Sequence, residues 1–286
     1  MNKFLRPLGL CLALFSVGAV AETSVWKVSK GNDFIYVAGT VHLLPASEYP
    51  LPSAFNDAYR QADSLVFEAP LPETMAEQQK MLATLQYPAG QTLSKQLKPA
   101  VRNELTQYLQ ELGVPLAMVD GYKPGFVAMQ LTLIEMTKAG LSGDGVDKYF
   151  LTQAKSAGKP LQYLETLEFQ IDLIAKIGEE NPDEFIKLSL AEAKDSSSML
   201  KKLIKAWRAG DMDFIDREVL RKAKKDDERT YRMMFSDRNQ RWLPQLQQMF
   251  EQPGHELVLV GAAHLPGDEG VLTMLRQAGF TLQQMP

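Results

Sequence analysis

The distribution of apolar residues along the chain predicts short buried strands separated by long helical stretches. Residues 25–28 and 34–38 are apolar runs on either side of the turn-rich segment 29–33, a pattern typical of a β-hairpin. Short apolar runs predict four more strands, at residues 64–67, 160–164, 256–260 and 280–282. Strands therefore fall near both ends of the chain and at its middle.

Apolar residues at helical spacing occupy most of the remaining chain. They predict helices over residues 52–61, 99–112, 126–139, 146–157 and 269–278. The segment 168–249 is almost entirely helical in pattern, with a start signal at Asn181-Pro182. The predicted fold is α/β: a central mixed sheet built from strands near both termini and mid-chain, flanked by many helices. Two mainly helical insertions are expected within it, at about residues 72–140 and 168–250.

Composition narrows the class of protein. The 286 residues are 45% hydrophobic and 23% charged, which is typical of a globular chain and excludes wholesale disorder. The net charge of −4 argues against a nucleic-acid partner, which would require a basic face. We expect a single domain over residues 22–286.

The first residues have the features of an export signal. Lys3 and Arg6 precede an apolar stretch at 8–20, and Ala19-Val20-Ala21 offers small residues for cleavage. We therefore predict a signal peptide at 1–21, a periplasmic or secreted protein, and no stable membrane anchor after cleavage. The single cysteine, Cys11, lies inside this segment, so the mature chain would contain no disulfide, catalytic thiol or zinc–thiolate site.

Two of the three histidines lie in the same local pattern. His42 and His264 each follow an apolar strand as the fourth residue of a Gly-x-x-His-Leu sequence, and each precedes a loop and a predicted helix. A glycine at the strand end allows a sharp turn and a close backbone approach. Both histidines would then project from the carboxyl end of a strand, the edge where α/β sheets bind ligands.

Two carboxylates follow strands in the same way. Glu68 comes directly after the strand at 64–67, and Glu165 directly after the strand at 160–164. If these strands are parallel neighbours of the histidine-bearing ones, two imidazoles and two carboxylates meet at one edge. Such a set can bind manganese, iron, cobalt, nickel or zinc, and a spare carboxylate could act as general base. The alternative is structural, with Glu165-Thr166 serving as a helix amino-terminal cap.

The other polar candidates are weaker. His255 has no comparable context and is expected at the surface, and Asp144 fits a helix cap. Arg238 and Asn239 fit exposed positions on a long helix. Gly143-Asp144-Gly145 does not follow a strand and is not read as nucleotide-binding. The chain contains no Gly-x-Ser-x-Gly elbow, no His-Glu-x-x-His pair and no phosphate-binding glycine loop.

Taken together, the motifs resemble those of the TraB/GumN family, which is similar to the animal Tiki proteases. The resemblance extends over residues 25–275 and is carried by the two Gly-x-x-His motifs, Phe67-Glu68, Gly145-Val146-Asp147, Leu164-Glu165-Thr166 with Gln170, and Arg238-Asn239. It implies an erythromycin-esterase/Tiki-like fold. This chain has no carboxyl-terminal membrane span like that of Tiki, so the substrate of Tiki is not implied.

The resemblance also implies an activity and roles for residues. It implies a metal-dependent hydrolase of the peptidase type, supported by manganese or cobalt, with zinc or iron as alternatives. The substrate would be a peptide or a small molecule. The implied metal ligands or catalytic groups are His42, His264, Glu68 and Glu165. Arg238 and Asn239 would join the site, with Arg238 stabilising negative charge on the tetrahedral intermediate.

Two other functions stay open at this point. The wider group also resembles a haem-binding lipoprotein family, so the protein could bind haem or another metal-bearing ligand through a histidine. Met118, Phe126 and Met129 could line an apolar slot for haem, although their helical spacing is more typical of core residues. The third reading is a degenerate family member that acts as a scaffold.

Overall fold

A computed structural model describes residues 22–286. The predicted signal peptide lies outside these residues, so export stays a prediction. No helix among the residues described is both long enough and apolar enough to cross a membrane.

The described chain is built on one mixed sheet of six strands, as the apolar pattern predicts. The strands are β1 (Val25–Lys30), β2 (Asp33–Thr40), β3 (Ser64–Phe67), β4 (Leu161–Tyr163), β5 (Glu256–Gly261) and β6 (Thr281–Gln284). Their order across the sheet is β4-β3-β5-β2-β1-β6. Strands β4, β3, β5 and β2 are mutually parallel, whereas β1 is antiparallel to both β2 and β6. The α/β class is therefore confirmed.

Both faces of the sheet are covered, which explains why its parallel strands are continuous apolar runs. Side chains alternate between the faces along β5: Leu257 and Leu259 belong to one core, Val258 and Val260 to the other. The first core is closed by α1 (Ser53–Gln61), α6 (Val146–Ala157) and α8 (Pro182–Arg208). The second is closed by α12 (Asp237–Met249) and α13 (Val271–Gln277).

Between β3 and β5, the regular secondary structure is helical apart from β4. Its remaining helices are α2 (Met75–Leu85), α3 (Leu93–Gln96), α4 (Pro99–Glu111), α5 (Pro124–Lys138), α7 (Leu167–Lys176), α9 (Met212–Ile215), α10 (Arg221–Asp226) and α11 (Glu228–Tyr231). Helices α4, α5 and α8 enclose a separate core. Helix α2 begins at a reciprocal Thr74–Glu77 capping box, a start signal visible in the sequence.

Two short π-helical segments interrupt the helical region, at Asp216–Leu220 and Arg232–Ser236. The second runs directly into α12. An extra residue in a helical turn shifts the side chains that follow, and such segments are frequent at functional sites. Here the shift precedes Arg238 and Asn239, which are both buried.

Candidate active site

Four functional side chains predicted from the sequence lie at one edge of the sheet. Strands β3, β5 and β2 are parallel neighbours, and β4 extends the set beside β3. Their carboxyl ends therefore lie together and carry Glu165, Glu68, His264 and His42 in that order across the sheet. The hypothesis that these strands are adjacent and parallel is confirmed.

The glycines of the two Gly-x-x-His motifs allow the strand ends to pack closely. A Cβ atom on Gly39 would lie 2.9 Å from a methyl carbon of Leu265 and 3.1 Å from the Cα of Ala262. A Cβ atom on Gly261 would lie 3.2 Å from Glu68 Oε1 and 3.9 Å from His42 Nε2. Glycine at position 261 thus leaves space that Glu68 Oε1 and His42 Nε2 both face.

His264 is buried and both of its ring nitrogens are hydrogen-bonded. Its Nε2 lies 3.0 Å from Arg238 Nη1, and its Nδ1 lies 2.6 Å from Asn239 Oδ1. Since a guanidinium only donates, Nε2 accepts and the ring proton is on Nδ1. Burial, opposed by the Glu68 carboxylate and assisted by the Arg238 charge, lowers the pKa of His264 to about 3. This histidine is neutral at physiological pH.

Arg238 lies at the centre of the buried network. Its Nε donates to both oxygens of Glu165, at 3.0 and 3.2 Å. Its Nη2 donates to Glu68 Oε2 at 2.5 Å and to Glu165 Oε2 at 2.8 Å. Its Nη1 donates to the carbonyl oxygen of Met234 at 3.2 Å and to His264. All five N–H groups of the guanidinium are therefore used within the protein.

Other donors complete the shell of the two carboxylates. Gln170 Nε2 lies 3.2 Å from both Glu68 Oε2 and Glu165 Oε2. Trp242 Nε1 donates to Glu165 Oε1 at 3.0 Å. The cap of α7 is Thr166, which accepts a hydrogen bond from a backbone N–H, so Glu165 is not the helix cap.

Glu68 differs from Glu165 in facing the space beside Gly261. Its Oε1 accepts the backbone N–H of Gly261 at 2.7 Å. Burial raises the pKa of Glu68, but His264, Arg238 and His42 together with this N–H outweigh burial and hold the pKa well below its usual range. Glu68 is therefore an anion at neutral pH.

His42 lies in a contrasting environment. Its side chain is 71% exposed, and its Nδ1 lies 3.0 Å from Asp147 Oδ2. The other oxygen of Asp147 accepts the hydroxyl of Thr40 at 2.7 Å. The charge of Asp147 and its hydrogen bond, against the opposing effect of desolvation, raise the pKa of His42 to about 9. Among residues 22–286, His42 Nε2 has no hydrogen-bond partner, and it faces the space that it shares with Glu68.

A tight contact between two loops positions Asp147. The backbone N–H of Val146 donates to the carbonyl oxygen of Val41 at 3.0 Å. A Cβ atom on Gly145 would lie 2.3 Å from the His42 carbonyl oxygen, a distance that only glycine avoids. Helix α6 then starts at Val146 with Asp147 in its first turn. This contact presents Asp147 to His42.

The structure corrects the predictions for two polar residues outside the network, Asp144 and His255. Gly145 is the N-cap of α6, so the prediction of Asp144 as the cap is wrong. Asp144 instead pairs with Lys148, four residues along the helix, at 2.7 Å. His255 is half-buried rather than fully at the surface, because its ring stacks on Phe34 with centroids 3.7 Å apart.

Arg238 and Asn239 are buried rather than exposed helix residues. Their relative exposures are 3% and 2%. The resemblance had placed both residues in the site, whereas the helical pattern alone had not.

Sequence reasoning did not assign a site role to four residues of this network: Thr40, Asp147, Gln170 and Trp242. Asp147 and Gln170 are part of the motifs that carry the family resemblance, which was the available signal. Thr40 lies two residues before His42, and Trp242 lies one helical turn after Arg238. Nothing in their local pattern distinguishes them from core residues.

The arrangement does not provide the four metal ligands expected from the sequence. Among residues 22–286, no group of three or more His, Cys, Asp or Glu side chains is arranged to hold a metal ion. The Nε2 of His264 and both oxygens of Glu165 hydrogen-bond to Arg238, and so does one oxygen of Glu68. The donor set as arranged does not fit a divalent cation.

The residues considered for a haem slot are not arranged as a buried pocket. Met118 and Met129 are 66% and 43% exposed, so the expectation that they are core residues is wrong. Met129 lies two positions after Val127, which is buried, and therefore on the opposite side of α5. Phe126 is half-buried and packs against Tyr122. Haem binding stays a prediction.

A mainly apolar cleft of about 580 Å³ is lined in part by two loops, the loop that follows β2 and contains His42 and the loop that precedes α6. Its walls include Leu44 and Gly143, from those loops, and the rings of Tyr49 and Tyr149, whose centroids are 5.2 Å apart. The Tyr49 hydroxyl donates to the carbonyl oxygen of Asp144 at 2.9 Å. The cleft is therefore connected to the His42 loop through backbone contacts.

Comparison with known proteins agrees with the motif resemblance. Residues 24–284 match the model of the TraB/PrgY/gumN family. The protein YbaP of Escherichia coli K12 is 26% identical over 250 residues, which cover 86% of this chain and 89% of YbaP. YbaP of Shigella flexneri shows the same identity and coverage. No solved structure matches the chain. Because the family match spans nearly all of the described residues, the chain belongs to the TraB/PrgY/gumN family.

Proposed function

We propose that this protein is a hydrolase of amide or ester bonds in which His42 is the general base that activates water. The observation that carries the proposal is the Thr40–Asp147–His42 arrangement. A carboxylate fixes one ring nitrogen of an exposed imidazole, and the other nitrogen is directed at the strand edge. An imidazole oriented by a carboxylate is the usual means of removing a proton from water or a hydroxyl group.

In the proposed reaction, water lies between His42 Nε2 and Glu68 Oε1. Neutral His42 takes one proton from the water as its oxygen attacks the carbonyl carbon, and Asp147 stabilises the imidazolium that forms. The imidazolium then gives the proton to the leaving nitrogen or oxygen as the carbon–heteroatom bond breaks. Glu68, ionised at neutral pH, orients the water by accepting its second O–H.

Arg238 has an indirect role in this scheme. Its side chain is 4% exposed and its N–H groups are committed to protein acceptors, so charge stabilisation on an intermediate would require breaking one of these bonds. We assign Arg238 as a positioning residue that holds Glu68. Asn239 likewise fixes His264.

The substrate class is argued from the cleft and the resemblance. Tyr49 and Tyr149 offer aromatic walls beside the His42 loop, which suit an apolar or aromatic side chain next to the scissile bond. The similarity to Tiki proteases favours a peptide, and the similarity to erythromycin esterases favours a small ester. The compartment to which the protein is exported would determine whether peptides or small esters are available to it as substrates.

The test is hydrolysis of peptide and ester libraries in ¹⁸O-labelled water, followed by mass spectrometry. We expect one ¹⁸O atom in the new carboxylate and a loss of about 10²–10⁴-fold in kcat/KM for His42→Gln. His255→Gln is the matched control, since His255 precedes β5 at the opposite edge of the sheet, and its activity should stay within about twofold. The reaction should persist after exhaustive chelation.

Three results would point elsewhere. Activity that disappears on chelation and returns with Mn²⁺ or Co²⁺ would support the metal-dependent hydrolase predicted from the family resemblance. Full activity of His42→Gln would contradict the proposed base. Absence of any hydrolysis, together with a visible absorption band on mixing with hemin, would support the ligand-binding alternative.

A further inference from the structure

The position that a metal would need in this site is filled by a guanidinium. Glu165, Glu68 and the Nε2 of His264 are three of the four donor groups expected for a metal, and each hydrogen-bonds to Arg238 at 2.5–3.2 Å. We propose that Arg238 is the resident cation of this site, and that a divalent metal binds there only when Arg238 is removed.

The charges support this assignment. Two carboxylates with 11% and 4% exposure lie beside each other, and burying two like charges together is costly without a neighbouring cation. Arg238 supplies that charge, and its planar fork matches Glu165 through Nε and Nη2. A divalent metal ion would neutralise the same two carboxylates, so the site does not need a metal ion while Arg238 is present.

The surroundings hold the guanidinium in place. Its central carbon lies 4.8 Å from the ring centre of Trp242, a favourable cation–π distance. The carbonyl oxygen of Met234, in the π-helical segment, takes one Nη1 hydrogen. Asn239 Oδ1 fixes the ring of His264 so that its lone pair faces Arg238. Displacement of Arg238 would break its contacts with Trp242, Met234 and His264 together.

This inference is independent of the proposed hydrolysis, because metal binding is measured without substrate. The experiment compares the full chain with Arg238→Ala, using Co²⁺ alone as the probe. After dialysis, we expect less than about 0.1 equivalents of bound Co²⁺ in the wild type and about one equivalent in Arg238→Ala. The variant should also develop the visible absorption of Co²⁺ coordinated by nitrogen and oxygen.

Thermal unfolding provides a second measurement. Co²⁺ should raise the Tm of Arg238→Ala by several degrees and leave the wild-type Tm unchanged, because only the variant would bind the ion in its folded state. If Arg238→Ala does not fold alone, we expect Co²⁺ to induce folding. The double variant Arg238→Ala/Glu165→Gln should lose the binding, and Arg238→Lys, which retains a cation, should bind no Co²⁺.

Two outcomes would overturn the proposal. One is a full equivalent of Co²⁺ in the wild type that is lost in His264→Gln, which would place a metal beside Arg238. The other is Arg238→Ala that binds no Co²⁺ or fails to fold in its presence.

Discussion

Replacing Asp147 by asparagine should lower the pKa of His42 from about 9 toward its ordinary value of 6.5. The amide has the shape of the carboxylate and can still accept from Nδ1, so the ring keeps its orientation while the negative charge is lost. Asp147 is the main cause of the raised pKa, through its charge and its hydrogen bond at 3.0 Å. Most of the elevation should therefore disappear with the charge.

The consequence for activity follows from the protonation state of the base. At pH 7 and a pKa of about 9, roughly 1% of His42 is neutral, so kcat/KM should rise with pH until about pH 9. In Asp147→Asn, the rise should be complete before pH 8. The maximal rate of the variant should be lower, because its imidazole is a weaker base and its imidazolium is less stabilised.

The same pair affects stability in a defined pH window. A pKa that is higher in the folded state contributes stability that is complete below pH 6.5 and is lost as pH rises through 9. Because His42 is largely exposed, this contribution is at most about 1 kcal/mol. Urea unfolding should therefore give a difference between wild type and Asp147→Asn that is larger at pH 6 than at pH 10, by at most about 1 kcal/mol.

The direct assay is an NMR titration of the imidazole resonances between pH 5 and 10.5. His42→Gln and His255→Gln assign the signals, and His264 should not titrate in this range because its pKa is about 3. A wild-type His42 pKa near 6.5 that is unchanged in Asp147→Asn would refute the reasoning. So would a titrating His264, because it would mean that the buried ring is not held neutral.

Two further predictions concern the scaffold of the site. Arg238→Ala in metal-free buffer should lower the free energy of unfolding by about 3–5 kcal/mol, because the buried carboxylates lose their counter-ion. The control is the exposed residue Arg241, whose replacement by alanine should cost no more than about 1 kcal/mol. Equal losses for the two variants in urea denaturation would contradict the buried network. Gly145→Ala should cost about 1–3 kcal/mol, because its Cβ would lie 2.3 Å from the His42 carbonyl oxygen. Among the described residues, and apart from its two chain neighbours, Gly121 has no atom within 4 Å of the carbon that alanine would add. Gly121→Ala should therefore stay within about 0.5 kcal/mol, so similar losses for both glycines would contradict the tight loop contact.

The elements of the sheet could be predicted because buried parallel strands have a simple local signature. Each is a short apolar run, and a polar residue such as Glu68 or Glu165 marks its end. The order of the strands could only be hypothesised, since β5 inserts between β2 and β3 although it lies about 200 residues later in the chain. No local pattern specifies such a pairing.

The contacts of the site were less predictable than its residues. Asp147 is 105 positions from His42, and the two meet only because Gly145 allows the loops to touch. Arg238 appeared to be a solvated helix charge, since charged residues on helices usually are. Besides the family resemblance, which placed Arg238 in the site, the helical pattern itself offered one signal: Arg238 and Trp242 are four residues apart and thus on one face of α12.

The two Gly-x-x-His motifs place equivalent histidines at neighbouring strand ends, yet their environments make them chemically different. His42 extends into solvent beside a carboxylate, which stabilises its cation, whereas His264 lies under Trp242 and accepts from Arg238, which makes a cation unfavourable. Opposite shifts in one site separate a group that exchanges protons from one that cannot. A symmetric pair of metal ligands would require both imidazoles to present free lone pairs to the same point. Of this pair, only His42 has an Nε2 without a hydrogen-bond partner among residues 22–286, and the repeated motif therefore yields one exposed histidine beside a carboxylate and one buried histidine that accepts from Arg238.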